Sequence, residues 1–168
     1  MTEVLRTDVL RGVRALVAAP PGEASFAPAI AERMSALGAA ARRLEVDPAG
    51  EEAGGEADVL VWDSSPAAAA LAALDGAWLV VRPVARAMTG GGLIVLIAPR
   101  PGDPQAEAAR AGLEAMARTL SIEWARLGVR PVAVLPGAAT EAGDVAELVA
   151  YLASPAGAYF SGCRFALA

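Results

Sequence analysis

At 168 residues the chain has the length of one domain, 1–168, and enough of it to bury a real core. Hydrophobic residues make up 55% but aromatics only 5%, so the interior must be built from Ala, Val and Leu in close helix–sheet layers. The net charge of −5 argues against nucleic acid and anionic membranes as partners. The only adjacent basic pair, Arg42-Arg43, reads as a solvated helix end. The absence of histidine removes the commonest general base and metal ligand. A single cysteine, Cys163, excludes an internal disulfide and a Cys/His zinc site. No basic-then-apolar leader and no uninterrupted bilayer-length apolar run is present, so a soluble cytoplasmic protein is expected.

Residues 1–12 form a short leading segment, and 13–18 is a compact apolar run that predicts a buried strand. Pro20, Pro21 and Gly22 break it. Ser25 is placed to cap a helix carrying Phe26, Ile30, Met34 and Leu37, with Gly38 as its stop. A short strand at 44–46 is followed by a Gly- and Glu-rich loop at 47–56, then a third strand at 58–62 stopped by Asp63-Ser64-Ser65-Pro66. Residues 67–88 are helical in pattern, with Pro83 expected to kink the helix or mark a seam between two. Residues 93–97 form the most hydrophobic strand, 105–127 the longest helix, 130–135 a strand, 144–153 a helix and 164–168 a last strand. Alternating helices and continuously apolar strands predict an α/β fold with a doubly wound, Rossmann-like parallel sheet in a three-layer sandwich.

Ordered segments along nearly the whole chain resemble one family. Residues 10–17 (LRGVRALV) match its opening strand LxGKxALV, and 29–34 (AIAERM) its first helix AIAERL. Residues 58–61 match DVLV, 76–82 (GAWLVVR) match GxFLVTR, and 92–95 match GxIV. The run 113–129 (LEAMARTLSIEWARLGV) resembles the long helix, 130–137 (RPVAVLPG) resembles RVNAVAPG, and 145–162 (VAELVAYLASPAGAYFSG) resembles VAxAVxFLASDxASYVTG. The chain therefore resembles the short-chain dehydrogenases/reductases, and within them the 3-oxoacyl-ACP-reductase-like members, in a shortened form. The resemblance implies the fold just predicted. It also implies an NAD(P)-dependent ketoreductase site, which the residues contradict.

Where the family has TGxxxGxG, this chain has Ala18-Ala19-Pro20-Pro21-Gly22-Glu23-Ala24-Ser25-Phe26-Ala27. One glycine remains, the prolines lack amide donors, and Glu23 sets negative charge where phosphate would lie. The family's NNAG becomes Trp62-Asp63-Ser64-Ser65, a helix and strand between the second and third strands are missing, and no lid-length segment follows Pro136-Gly137. The resemblance puts the catalytic asparagine, serine, tyrosine and lysine at Ala73, Pro99, Ala106 and Arg110. Only Arg110 keeps a cation, and no phenol is left for it to tune. Catalytic and cofactor-binding residues are accordingly expected to be none, and metal ligands none.

Other polar clusters have plainer readings. Asp63-Ser64-Ser65 lacks the histidine of a hydrolase triad and reads as a turn capping the next helix. Arg110 reads as a helix-surface arginine, with phosphate or partner-carboxylate binding as the alternative. Glu51, Glu52 and Glu56 read as a solvated loop rather than metal ligands. Gly90-Gly91-Gly92 precedes a strand and is no phosphate loop, and Cys163 reads as a packed thiol.

In the family, helices equivalent to 67–88 and 105–127 pack against those of a second subunit. Trp78, Val81, Ala85, Met88, Leu113, Met116, Leu120 and Trp124 are the candidate interface. The leading expectation is a non-catalytic subunit that assembles with an active homologue. Residual NAD(P)-dependent activity and a homo-oligomeric scaffold or ligand-binding module are the alternatives.

Overall fold

The computed structural model describes residues 5–47, 54–67 and 69–168. Its strands are β1 (Arg14–Ala19), β2 (Ala40–Glu45), β3 (Val59–Asp63), β4 (Gly92–Ile97), β5 (Val129–Leu135) and β6 (Arg164–Ala166), of which β1, β3, β4 and β5 are apolar runs of the sequence. The helices are α1 (Ala27–Ala36), α2 (Ala70–Ala87), α3 (Pro104–Glu123) and α4 (Ala142–Ala153). All strand pairs are parallel, in the order β2-β1-β3-β4-β5-β6. This is the doubly wound, Rossmann-like sheet expected. Chain order reverses at the β1/β3 boundary, the place where open parallel sheets gather their ligands.

The period-2 alternation of the strands divides the core into two layers. Ala15, Val17, Val59, Val61, Leu93, Val95, Ile97, Val132 and Val134 face α1 and α4. Leu16, Leu60, Trp62, Ile94, Leu96, Ala133 and Leu135 face α2 and α3. Each central strand is buried on both faces, which is why its sequence reads as an unbroken apolar run. The small residues let the layers close up. A side chain at Gly112 of α3 would come within 2.8 Å of Leu74 on α2.

Several element boundaries differ from expectation. β2 begins four residues earlier than the run 44–46, because Ala40, Arg42 and Arg43 lie on an exposed strand that apolar patterning does not reveal. Arg42-Arg43 is therefore part of an outer strand, not a helix end. α2 continues through Pro83 as one helix, so there is no seam. α3 stops at Glu123, and a separate 3-10 turn, Ala125–Leu127, leads to Gly128 at φ +70°. α4 starts two residues before Asp144, because Glu141 and Asp144 form a reciprocal capping box. The first helix is as read: Ile30, Met34 and Leu37 are fully buried and Gly38 turns the chain at φ +95°.

The described ends of the connection from β2 to β3 lie on the α2/α3 side, where Val46 and Ala57 are buried and Gly54 lies against Val84 and Pro83. No helix is assigned in its described part. Glu51 and Glu52 lie outside the described residues. Glu56 pairs with Arg14 at 2.8 Å, and Arg14 also clasps Asp58 at 2.8 Å, joining the start of β1 to that of β3. Among the described residues no helix is long and apolar enough to cross a membrane, and no group of His, Cys, Asp and Glu could hold a metal ion.

Gly91 has φ +84°, and a Cβ there would lie 2.7 Å from the carbonyl oxygen of Gly128. Gly91→Ala should lower unfolding stability by about 1–3 kcal/mol in urea titration, whereas Gly90→Ala, with open space around it, should be near neutral. The Arg14 hydrogen bonds hold the Asp58 carboxyl below its usual range. A carboxylate depressed in the folded state adds stability above its unfolded pKa, and that stability is lost as pH falls through the lower folded value. Asp58→Asn should therefore shrink the drop in urea midpoint between neutral pH and about pH 3.

Candidate functional site

The carboxyl ends of β1, β3, β4 and β5 converge where a dinucleotide fold holds its ligand, and here they are tied to one another. Asp63, the last residue of β3, is fully buried. Its Oδ2 accepts from the Phe26 amide at 2.6 Å, the Ala27 amide at 3.0 Å and the Ser25 hydroxyl at 2.8 Å. Its Oδ1 accepts from the Ser65 amide at 3.0 Å. The Ser65 hydroxyl lies 2.7 Å from Oδ1 and 3.0 Å from the Ala24 carbonyl. The carboxylate thus sits on the first amides of α1, where the helix leaves donors without intrahelical partners and its dipole favours negative charge.

This corrects the reading of Asp63-Ser64-Ser65 as a cap for the following helix. α2 starts at Ala70 with no side-chain cap, and Asp63 serves α1 across the switch point instead. Ser25 stands one residue before the N-cap, which is Phe26 rather than Ser25 as expected, and its Oγ accepts from the Ala27 amide at 3.1 Å. The loop between β1 and α1 is pressed onto the β3 loop: a side chain at Gly22 would meet Pro66 at 2.6 Å.

Neighbouring strand ends are closed in the same manner. The Ser64 hydroxyl donates to the Ile97 carbonyl at 2.6 Å, linking β3 to β4. Arg110, on the first turns of α3, donates from Nη1 to the Pro99 carbonyl at 2.8 Å and the Pro136 carbonyl at 2.7 Å, linking β4 to β5. Its side chain is only 13% exposed, which overturns the helix-surface reading: the helix points it inward at the strand ends. Arg100 reaches the Gly137 carbonyl at 3.1 Å and stacks 4.8 Å over the ring of buried Phe26. Sequence reasoning passed over Arg100, because a loop arginine after a strand carries no motif. Thr140 accepts from the Gly137 amide and donates to the Ala168 carbonyl, both at 2.7 Å, so the turn after β5 is short and held.

Of the four positions to which the resemblance assigns chemistry, Pro99 and Ala106 share one cavity and Arg110 bonds the Pro99 carbonyl. Ala73 is buried on α2, and Pro99 and Ala106 flank a cavity of about 30 Å³. That is room for about one water, against several hundred Å³ for an ordinary ligand pocket. No side chain at Ala73, Pro99 or Ala106 can donate or accept a proton. A larger cleft of about 320 Å³ opens beside the mouth of α1, lined by Pro20, Pro21, Gly22, Ser25 and Ala27, with Arg43 and Glu45 of β2 on its other wall.

A nicotinamide dinucleotide does not fit this arrangement. The α1 amides that receive a pyrophosphate are bonded to Asp63, Pro20 and Pro21 offer no donors, and a phosphate would meet a buried carboxylate. No reaction step through such a cofactor is derived.

The proposed interface positions divide. Val81, Ala85, Met88, Leu113 and Leu120 are buried in the chain's own core against the sheet. The apolar surface beyond that stripe is therefore smaller than the sequence suggests. Trp78 is 42% exposed, and Met116 and Trp124 are half-buried. Leu71, Ile122 and Leu127, absent from the sequence reading, are exposed on the same helices and the turn that follows them. Cys163 is partly buried, its thiol 3.4 Å from the Ser161 carbonyl.

No protein-family model matches the sequence, and no curated protein matches it. Solved structures match in fold. A short-chain dehydrogenase of Mycobacterium smegmatis superposes with a TM-score of 0.84 at 22% identity, over 100% of this chain and 96% of that one. A citronellol catabolism dehydrogenase of Pseudomonas aeruginosa gives 0.79 at 24%, over 98% and 96%. A short-chain dehydrogenase/reductase of Burkholderia xenovorans gives 0.80 at 20%, over 95% and 96%. The chain has the fold of the short-chain dehydrogenases.

Removing the inward arginine tests whether these strand ends depend on it. Arg110→Ala leaves the Pro99 and Pro136 carbonyls without their donor and should lower stability by about 2–3 kcal/mol in chemical unfolding.

Proposed function

We propose that this chain is a cytoplasmic, non-catalytic subunit that assembles through α2 and α3 with a catalytically intact homologue, completing a heteromeric ketoreductase or dehydrogenase. The observation that carries the reading is the contrast between two surfaces of one molecule. At the carboxyl edge of the sheet, Asp63, Ser64 and Arg110 are bonded to backbone and side-chain partners within the chain. On the outer side of α2 and α3, large apolar residues stay in solvent. Leu71 is 68% and Ile122 75% exposed.

A groove of about 200 Å³ runs between these helices, lined by Trp78, Arg82, Ala85, Arg86, Trp124 and Leu127. Indole rings beside arginines are the side chains that most often anchor protein interfaces. The fold carries the reading to its partner class: the structures it matches are dehydrogenases, and a homologue would present an equivalent helix pair. Selection to keep a fold without its reaction is accounted for by the need to keep its contact face.

Met88 is too deep to test this, since a charge there would break the core. Trp78→Glu with Ile122→Glu changes only exposed positions. The double variant should remain folded by circular dichroism yet bind its partner at least about 30-fold more weakly. The chain, tagged in its source cells and purified under native conditions, should bring down a stoichiometric second subunit carrying an intact serine, tyrosine and lysine set. Recovery of a homo-oligomer alone, or unaltered assembly by the double variant, would remove the proposal.

A further inference from the structure

We infer that Asp63 is a built-in anion, standing where a dinucleotide fold receives its ligand's phosphate, and that the chain is closed to nicotinamide dinucleotides because that place is filled from within. The inference concerns the carboxyl edge of the sheet. It does not rest on assembly through α2 and α3, and either can fail without the other.

The donor set is that of an anion site. Two consecutive amides at the mouth of α1 and the Ser25 hydroxyl converge on one oxygen at 2.6–3.0 Å, the range of charge-assisted hydrogen bonds. The second oxygen is held by Ser65. A ligand phosphate would make the same bonds to the same helix end. The difference is covalent attachment: the carboxylate arrives on β3, so its local concentration at the helix mouth is fixed and high. A competing phosphate must displace a tethered group and approach a buried negative charge while doing so. The surroundings are shaped to the carboxylate, with Gly22 seated on Pro66 and Phe26 turned inward beneath Arg100. The cleft that opens from Ser25 and Ala27 toward Arg43 and Glu45 leaves space beside the helix mouth, but the Phe26 and Ala27 amides that would hold a phosphate there are bonded to Asp63.

Removing the carboxylate should convert a filled place into a vacancy that a small anion can enter. The experiment uses the full chain as wild type, Asp63→Gly and Asp63→Asn. Each is titrated calorimetrically with NAD and NADP, and melted in inorganic phosphate against chloride of matched ionic strength. The wild type should show no saturable dinucleotide binding into the millimolar range and no phosphate-specific change in Tm. Asp63→Gly should melt lower by on the order of 10 °C and regain part of that loss in phosphate but not in chloride. Asp63→Asn, which fills the place without the charge, should melt below the wild type and gain nothing from phosphate. If Asp63→Gly does not fold from chloride buffer, its refolding yield in phosphate gives the same readout. Saturable binding of either dinucleotide by the wild type overturns the inference. So does an Asp63→Gly variant that is undiminished in stability, or indifferent to phosphate in both melting and refolding.

Discussion

A parallel sheet delivers all its strands to one edge pointing the same way, and the backbone groups that emerge there must be bonded to something. In a dinucleotide-binding protein part of that demand is met by the ligand. In this chain it is met internally, and the arrangement of the carboxyl edge follows from that requirement. Asp63 answers the amides of α1, Ser64 the end of β4, Arg110 the ends of β4 and β5, and Arg100 the turn after β5. Each contact joins elements that are distant in sequence, so the strand ends are held as one unit. The same contacts account for the small cavity beside Pro99 and Ala106, since the loops there are tied to one another.

Charge makes this closure one-sided. A carboxylate at a helix N-terminus is in its favourable place, and a guanidinium among carbonyl oxygens is in its own. Arg130 repeats the pattern at the opposite end of β5, donating to the Gly157 and Phe160 carbonyls. Burial there pushes its guanidinium pKa down. The protein thus uses arginine, its sole basic residue type apart from the amino terminus, as a donor to backbone carbonyls as well as a surface charge.

The layered fold was legible because buried parallel strands write themselves as apolar runs and helices as spaced apolar positions with caps. The stretch 93–97 and the helix from Ile30 to Leu37 needed nothing more. β2 was half-hidden, because an outer strand exposes Arg42 and Arg43 and loses the apolar signature. The role of Asp63 could not be read in this way: its sequence neighbours pointed to the following helix, while its partners Phe26 and Ala27 lie across the sheet reversal. The inward setting of Arg110 is hidden for a similar reason, since helical spacing states which residues share a face but not which strand ends that face overhangs. An aspartate closing a wholly apolar strand, with serines on both of the loops meeting there, is the pattern that would have given the site away.

β2 also has a bearing on how the molecule behaves in company. It is the last strand on its side of the sheet, with one row of main-chain groups facing outward. A bare margin of this kind invites other chains to add themselves strand by strand. Arg42, Arg43 and Glu45 crowd that margin with charge and with long, strongly hydrated side chains. A fold that ends at this strand is therefore protected against sheet-to-sheet growth by the residues that made the strand hard to recognise.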